Sequence, residues 1–181
     1  MKIECFLEEE DYLTYQLYTA AKSERIKKKR RQSWLITTSL FLSLSLLFYV
    51  TSFEFLPTYF LVAGVASLFL YPLYSRRKYK NHYQKFIREN RQGVIGKEVE
   101  MEFTPDAIIE KSELGESKIN TSELAEINEI DSHYFLKMTT GNSIIINKAR
   151  LSQAEEMNAY LEGLSEKLGI SLHRELDWKW K

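Results

Sequence analysis

The residues that could carry chemistry are three histidines, one cysteine and a run of alternating carboxylates. His82, His133 and His173 lie far apart with no His-x₃-His pair and no second ligand at metal spacing, so no metal centre is predicted. Cys5, flanked by Ile3, Phe6 and Leu7, reads as a small buried hydrophobe rather than an activated nucleophile. As the only cysteine it has no intrachain disulfide partner, which fits a reducing compartment. Glu98, Glu100 and Glu102 share one side of a strand, where they repel one another unless solvated or paired; a solvated face is expected rather than an acid–base pair. No dinucleotide fingerprint, Walker loop or Gly-x-Ser-x-Gly elbow occurs, and seven scattered glycines offer no phosphate cradle. The expectation is therefore a protein without catalytic, cofactor-binding or metal-binding residues, and not an enzyme.

Positive charge is the strongest remaining signal. Arg25, Lys27, Lys28, Lys29, Arg30 and Arg31 form one cluster, and Arg76, Arg77, Lys78 and Lys80 form another. Between them, residues 33–53 and 55–75 carry no charge, with Glu54 alone dividing the two blocks. Lys/Arg runs bind nucleic acid in other settings, but beside apolar blocks of this length they read as topology signals. Each such charge gains about 1 kcal/mol from an anionic leaflet. Anionic lipid headgroups, and no nucleic acid, are thus the expected partners of these ten residues.

The elements that hold these charges follow from length. Each block matches the ~20 apolar residues that cross a bilayer core, whereas one continuous helix of both would be about 63 Å long. A transmembrane hairpin is predicted over 34–53 and 56–75, turning near Phe53-Glu54-Phe55-Leu56-Pro57, with Pro57 suited to the first turn of the returning helix. Trp34, Tyr49, Tyr59, Tyr71 and Tyr74 are expected to anchor the span ends. Ser39 with Ser43, and Ala63 with Ser67 beside Gly64, give small residues at helical spacing, which favour the hairpin packing on itself over an oligomer contact. Because the turn has no Lys or Arg, the positive-inside rule predicts a multi-pass protein with both termini cytoplasmic. The 33 residues before the first predicted span include Glu8–Asp11, unlike a signal peptide, so the anchor is expected to be retained.

The flanking segments divide as 1–33, a strand and helix leading into the membrane; 76–96, a basic stalk helix; 97–171, a β domain; and 172–181, a Trp/Lys tail. Their charges are unequal, with the piece from 98 onward strongly acidic although the whole chain is neutral. Lys2 to Leu7 suggests a strand, and Glu8–Asp11 suits the start of a helix running unbroken into the first span. Tyr79, Tyr83, Phe86 and Ile87 form a stripe that Gly93 ends. From Glu98 the period changes to two. Strands are predicted around 98–103, 107–111, 117–120, 124–130, 133–138 and 143–147, with turns at Thr104-Pro105-Asp106, Leu114-Gly115-Glu116 and Thr140-Gly141-Asn142. Ser152 with Glu155 reads as a capping box opening an amphipathic helix over 152–168, whose Met157, Tyr160, Leu161, Leu164 and Leu168 cover the sheet. In the tail, Trp178 and Trp180 are an interface in prospect, docking on the protein itself being favoured over the headgroup region.

The layout resembles a known family. An N-terminal Glu-Asp-Tyr segment, a membrane hairpin, Phe103-Thr104-Pro105-Asp106-Ala107-Ile108, His133-Tyr134-Phe135-Leu136, and Ile144-Ile145-Ile146-Asn147-Lys148 before a terminal helix are similar to the YcxB-like bacterial membrane proteins. That resemblance implies a bacterial cell (inner) membrane location and a cytoplasmic, pleckstrin-homology-like β domain, and it brings no catalytic residues. The fold class expected is an α+β membrane protein: a two-helix transmembrane hairpin with an antiparallel domain of five to six strands, closed by a C-terminal amphipathic helix. The function expected is a non-enzymatic anchor presenting this module to an unidentified protein partner or to its own copies. The alternative is a small protective, stress-response or immunity-like membrane protein acting through its hairpin.

Overall fold

In chain order the elements are β1 (Lys2–Phe6), α1 (Glu9–Lys22), α2 (Glu24–Val50), α3 (Leu56–Arg91), β2 (Glu98–Phe103), β3 (Ala107–Ser112), β4 (Gly115–Asn120), β5 (Leu124–Ile130), β6 (His133–Met138), β7 (Ser143–Asn147), α4 (Ala154–Leu168) and β8 (Ser171–Glu175). The computed structural model describes residues 1–113 and 115–181 as two units: Met1–Tyr15 with Phe86–Lys179, and Gln16–Lys85 with Trp180–Lys181. The turn predicted at Leu114-Gly115-Glu116 includes Leu114, which lies outside the described residues.

The second unit is dominated by α2 and α3, both long and apolar enough to cross a membrane. Only 11% and 6% of their most apolar stretches are buried, whereas the core helix of a soluble fold is mostly buried. Leu46, Val50, Phe55 and Phe69 are among the large side chains left exposed. The helices meet through small residues: a Cβ on Gly64 would lie 2.8 Å from Leu42 Cδ2, and the buried Thr38 and Ser67 hydroxyls are 2.9 Å apart. Ser67 Oγ also donates to the Gly64 carbonyl at 2.7 Å, so both hydroxyls are satisfied without water. Ser39 and Ser43, expected to share a packing face, are exposed instead. Thr38, one residue from Ser39, takes the packing role, because the helical rotation turns a different face toward α3.

The connecting turn is a Schellman motif. Ser52 N–H bonds the Tyr49 carbonyl (3.2 Å), Phe53 N–H bonds the Phe48 carbonyl (3.1 Å), and the two phenyl rings meet edge to face at 5.4 Å. Ser52 holds φ +60 in the left-handed region, a position that glycine usually takes. At the other end of α2 the predicted unbroken helix divides. Ser23 takes extended backbone angles and its hydroxyl accepts the Ile26 N–H, which caps α2 separately from α1.

The first unit holds two four-stranded sheets, ordered β1-β2-β3-β4 and β7-β6-β5-β8, rather than the five to six strands expected. Two strands account for most of the difference. β1, assigned by sequence to the lead into the membrane, pairs antiparallel with β2 (Lys2 opposite Glu102). β8, assigned to the tail, pairs parallel with β5 (Leu172 opposite Ile127). Inward positions of both sheets, including Ile3, Cys5, Met101, Phe103, Ile127 and Leu136, form one core with Met157, Leu161 and Leu164 of α4. Burial of each such α4 side chain stabilises by about 1.5–3 kcal/mol. α4 starts at Ala154, with Gln153 at its N-cap and no side-chain cap bond, so the Ser152–Glu155 capping box does not form. Gly169, φ +65, ends it as expected.

Candidate functional site: the basic collar and a buried Asp–His clamp

The ten basic residues singled out by sequence lie on α2 and α3, close to where the uncharged stretches begin and end. Arg25, Lys27, Lys28, Lys29, Arg31, Arg76, Arg77, Lys78 and Lys80 are exposed, and Arg30 alone is half-buried. Helical spacing puts Lys27, Arg30, Arg31 and Trp34 on one face of α2. Lys27 pairs with Glu24 at 2.7 Å, and Lys78 lies over the Tyr74 ring.

Arg30 organises this collar. Its Nε donates to Ser75 Oγ at 3.3 Å and its Nη2 to the Lys181 carbonyl oxygen at 3.0 Å. The guanidinium also lies 4.9 Å from the Trp180 ring and 5.7 Å from that of Tyr79. Trp180 is buried, and its indole N–H donates to the Arg76 carbonyl at 3.2 Å. The end of the tail is thus clasped onto α2 and α3, which leaves Trp180 closed to other partners; Trp178 is half-buried.

Two clefts flank Arg30. One, of about 250 Å³, is lined by Lys27, Arg30, Arg31, Trp34, Tyr71, Pro72 and Ser75. The other, of about 280 Å³, adds Lys29, Ser33, Lys78, Tyr79 and His82. No carboxylate lines either. Trp34 Nε1 is buried and has no hydrogen-bond partner, a state that costs about 1–3 kcal/mol for an ordinary amide-type donor.

In the first unit the buried polar chemistry gathers around Asp11. Asp11 is the third residue of α1, and its Oδ2 accepts the Glu8 N–H (2.7 Å), closing the helix start from the acidic side of a capping box. Its Oδ1 accepts from Asn147 Nδ2 at 2.7 Å and lies 2.9 Å from His133 Nε2. Arg150 Nη1 stands 3.5 Å from Oδ2, donates to the Phe6 carbonyl, and its guanidinium lies 3.8 Å from the Phe6 ring. Burial pushes the Asp11 carboxyl upward, but the bonds from His133, Glu8 and Asn147 together outweigh it and hold it below its ordinary value. His133 Nδ1 meets Ser132 Oγ at 2.7 Å, and its ring stacks on Phe135. Carboxylate, imidazole and hydroxyl in line is a grouping used in nucleophilic catalysis. Here the carboxylate is also committed to Asn147, Glu8 and Arg150, so the geometry is that of a clamp joining α1 to β6 and β7. Tyr15, one turn after Asp11, extends it by donating to Ser143 Oγ (2.9 Å) and packing on Phe135.

A second network fixes β8. The buried Glu129 accepts from Lys148 Nζ (2.7 Å) and Arg174 Nε (2.9 Å), and Arg174 also reaches Glu162 and Asn158. The residues that frame both networks lie mostly in one stretch: residues 103–164 match the model of a family described as YcxB-like protein. The chain carries a YcxB-like domain. No curated protein and no solved structure matches the chain.

The YcxB-like domain, about one third of the chain, supplies His133, Asn147, Arg150 and Glu129, whereas Asp11 and Arg174 come from outside it. In the sequence His133 looks isolated, because its partner Asp11 is 122 positions away. His82 lines a cleft of the collar and His173 lies in β8. The alternating glutamates are partly paired rather than only solvated: Lys2 Nζ lies 3.2 Å from Glu100 and 3.4 Å from Glu102. Burial pushes the Cys5 thiol up to about 11, consistent with an inert core residue. Among the described residues no group of three or more His, Cys, Asp or Glu side chains could hold a metal ion.

Proposed function

We propose that the chain is a non-catalytic membrane protein that anchors by α2 and α3 and presents its β unit at the cytoplasmic face for protein interaction or self-association. The exposed apolar surface of two adjacent helices supports the anchor, since large side chains such as Val50 and Phe69 have no protein to cover them. Basic clusters at the outer ends of the two uncharged stretches and the single acidic Glu54 between them support cytoplasmic termini. Two sheets around one core with a helix following the last hairpin are compatible with a reduced pleckstrin-homology-like barrel, a shape that by itself names no ligand. Anionic headgroups are the lipid partners of the collar.

The observation that carries the interaction role is β4. It is an edge strand and, but for a half-buried Ile119, its residues are exposed, so its outer main-chain groups face solvent as a template for another strand. Because Cys5 is buried, a cysteine introduced at Ser117 is the only reactive thiol. In native membranes a short bifunctional maleimide should then cross-link Ser117→Cys to a second copy or to a partner, while the same substitution at exposed Glu156 on α4 should not. Equal cross-linking from both positions, or none from Ser117→Cys, removes the edge-strand role.

A further inference from the structure

The smaller cleft beside Arg30 joins features that a generic basic collar does not need. Its lining combines aromatic and apolar side chains (Trp34, Tyr71, Pro72) with cationic ones (Lys27, Arg30, Arg31), and no carboxylate lines it. Arg31 is exposed and has no carboxylate partner among the described residues. Trp34 contributes a buried indole N–H without an acceptor. A ligand that satisfies all of these is amphipathic, with an anionic oxygen for the N–H and the guanidinium and an apolar body for the rings. The cleft also stands where the uncharged run starts at Ser33, the level at which such a molecule changes from headgroup to acyl chain.

We propose that this cleft binds the phosphate of an anionic phospholipid, held by Trp34 Nε1–H and Arg31, with its apolar portion against Tyr71 and Pro72. The site rests on the membrane-anchor reading and gives that anchor a defined lipid. Arg30 is largely committed to Ser75, Lys181 and the Trp180 ring, so it shapes the wall, while Arg31 supplies the free charge. The indole is the selective element: Lys/Arg attraction is diffuse and screened by salt, but a buried donor needs an acceptor at one place.

The test uses the full chain in nanodiscs of neutral phosphatidylcholine doped with phosphatidylglycerol, followed by native mass spectrometry of lipids retained after release. The wild-type chain should retain phosphatidylglycerol over phosphatidylcholine. Trp34→Phe, which keeps the ring and removes the N–H, should weaken that retention about tenfold, the scale of one lost hydrogen bond to a charged group. Arg31→Gln should do likewise, whereas Arg77→Gln, which removes one diffuse, exposed collar charge, should weaken it much less. Equal retention by wild type and Trp34→Phe, or equal losses for Arg31→Gln and Arg77→Gln, overturns the site. A parallel arm adds inorganic phosphate or glycerol 1-phosphate to lipid-free protein in neutral detergent. Thermal stabilisation there that Trp34→Phe abolishes would make free phosphate the ligand and overturn the lipid assignment. Alkaline carbonate extraction of native membranes tests the anchor separately: release of the protein defeats the anchor reading, while retention with no Trp34 effect defeats only the site.

Discussion

Asp11→Ala is the most informative single substitution in the β unit. The carboxylate is 4% exposed, so solvent screening does little to discount its interactions. Its removal leaves His133 Nε2, Asn147 Nδ2 and the Glu8 N–H without their acceptor, and Arg150 without its nearby charge. Breaking a buried, hydrogen-bonded charge cluster on one side costs about 3–5 kcal/mol. At 1.4 kcal/mol per factor of ten, that is between about one hundredfold and a few thousandfold in the opening equilibrium. Amide hydrogen exchange of the full chain in detergent, read on peptides covering His133–Asn147, should show that loss of protection at pH 7. Asp11→Asn should fall between, because it keeps one carbonyl acceptor but turns an amide donor toward other donors. The pH dependence has a defined sign. A carboxyl held below its ordinary value of 3.8 contributes stability that is present above that value and lost as pH falls through the lowered one. Wild-type protection should therefore drop below about pH 4, and Asp11→Ala should lack this component. A change of less than about fivefold in exchange for Asp11→Ala, roughly 1 kcal/mol, would refute the clamp.

Other positions give sharper local tests. Ser52→Gly removes the cost of a side chain at φ +60 and should stabilise the hairpin by about 1 kcal/mol in thermal unfolding in detergent. Gly64→Ala would press on Leu42, at 2.8 Å from Cδ2 and 3.2 Å from Cγ, and should cost about 1 kcal/mol, whereas Gly64→Ile should cost about 1–3 kcal/mol by forcing the helices apart. Trp180→Ala loses the ring contact with Arg30 and the bond to the Arg76 carbonyl, about 2–3 kcal/mol together, and limited proteolysis should then cleave the last residues readily. For topology, a membrane-impermeant maleimide added to whole cells should label Glu54→Cys and leave Glu156→Cys unlabelled until the membrane is opened.

The fold was legible where pattern and physics coincide locally. Uncharged length gave the two helices, period-two alternation gave β2, short apolar runs between turn signals gave β5, β6 and β7, and Gly169 marked the end of α4. What failed was non-local or depended on a backbone conformation. β1 and β8 are each five residues long, and nothing within five residues says whether a strand pairs with a neighbour or with one about a hundred positions away. Ser152 and Glu155 had the right types for a capping box, but the chain turns once more and the helix starts at Ala154. Ser23, in a run without Gly or Pro, ended a helix through its own capping bond, a signal that was present and overlooked. The Asp11–His133 pair was hidden for the reason that hides most clamps: each partner alone looks ordinary, and only the topology places the start of α1 beside the His133 end of β6.

That topology gives the alternating glutamates their meaning. A strand bearing Glu98, Glu100 and Glu102 is a poor edge for a sheet, because like charges on one face repel. β1 brings Lys2 opposite Glu102, within reach of Glu100, while its Ile3 and Cys5 enter the core on the other face. The acidic face is thus relieved by Lys2 of β1 and by Lys111 of β3, which stands opposite Glu100, against the like charge of Glu4 opposite Glu100, and β1 is separated in sequence from β2 by both apolar helices. The β unit is thus an interrupted unit, with α2 and α3 inserted between its first strand and the rest, and its two parts must both be present before the sheet is complete. Asp11 adds a second tie from the same side of the interruption, joining α1 to β6 and β7. Pairing across about a hundred residues carries a loop-closure cost that grows only slowly with length. A few buried contacts and two charge clusters are consequently enough to hold the N-terminal segment in the β unit, even though sequence alone would place it with the membrane.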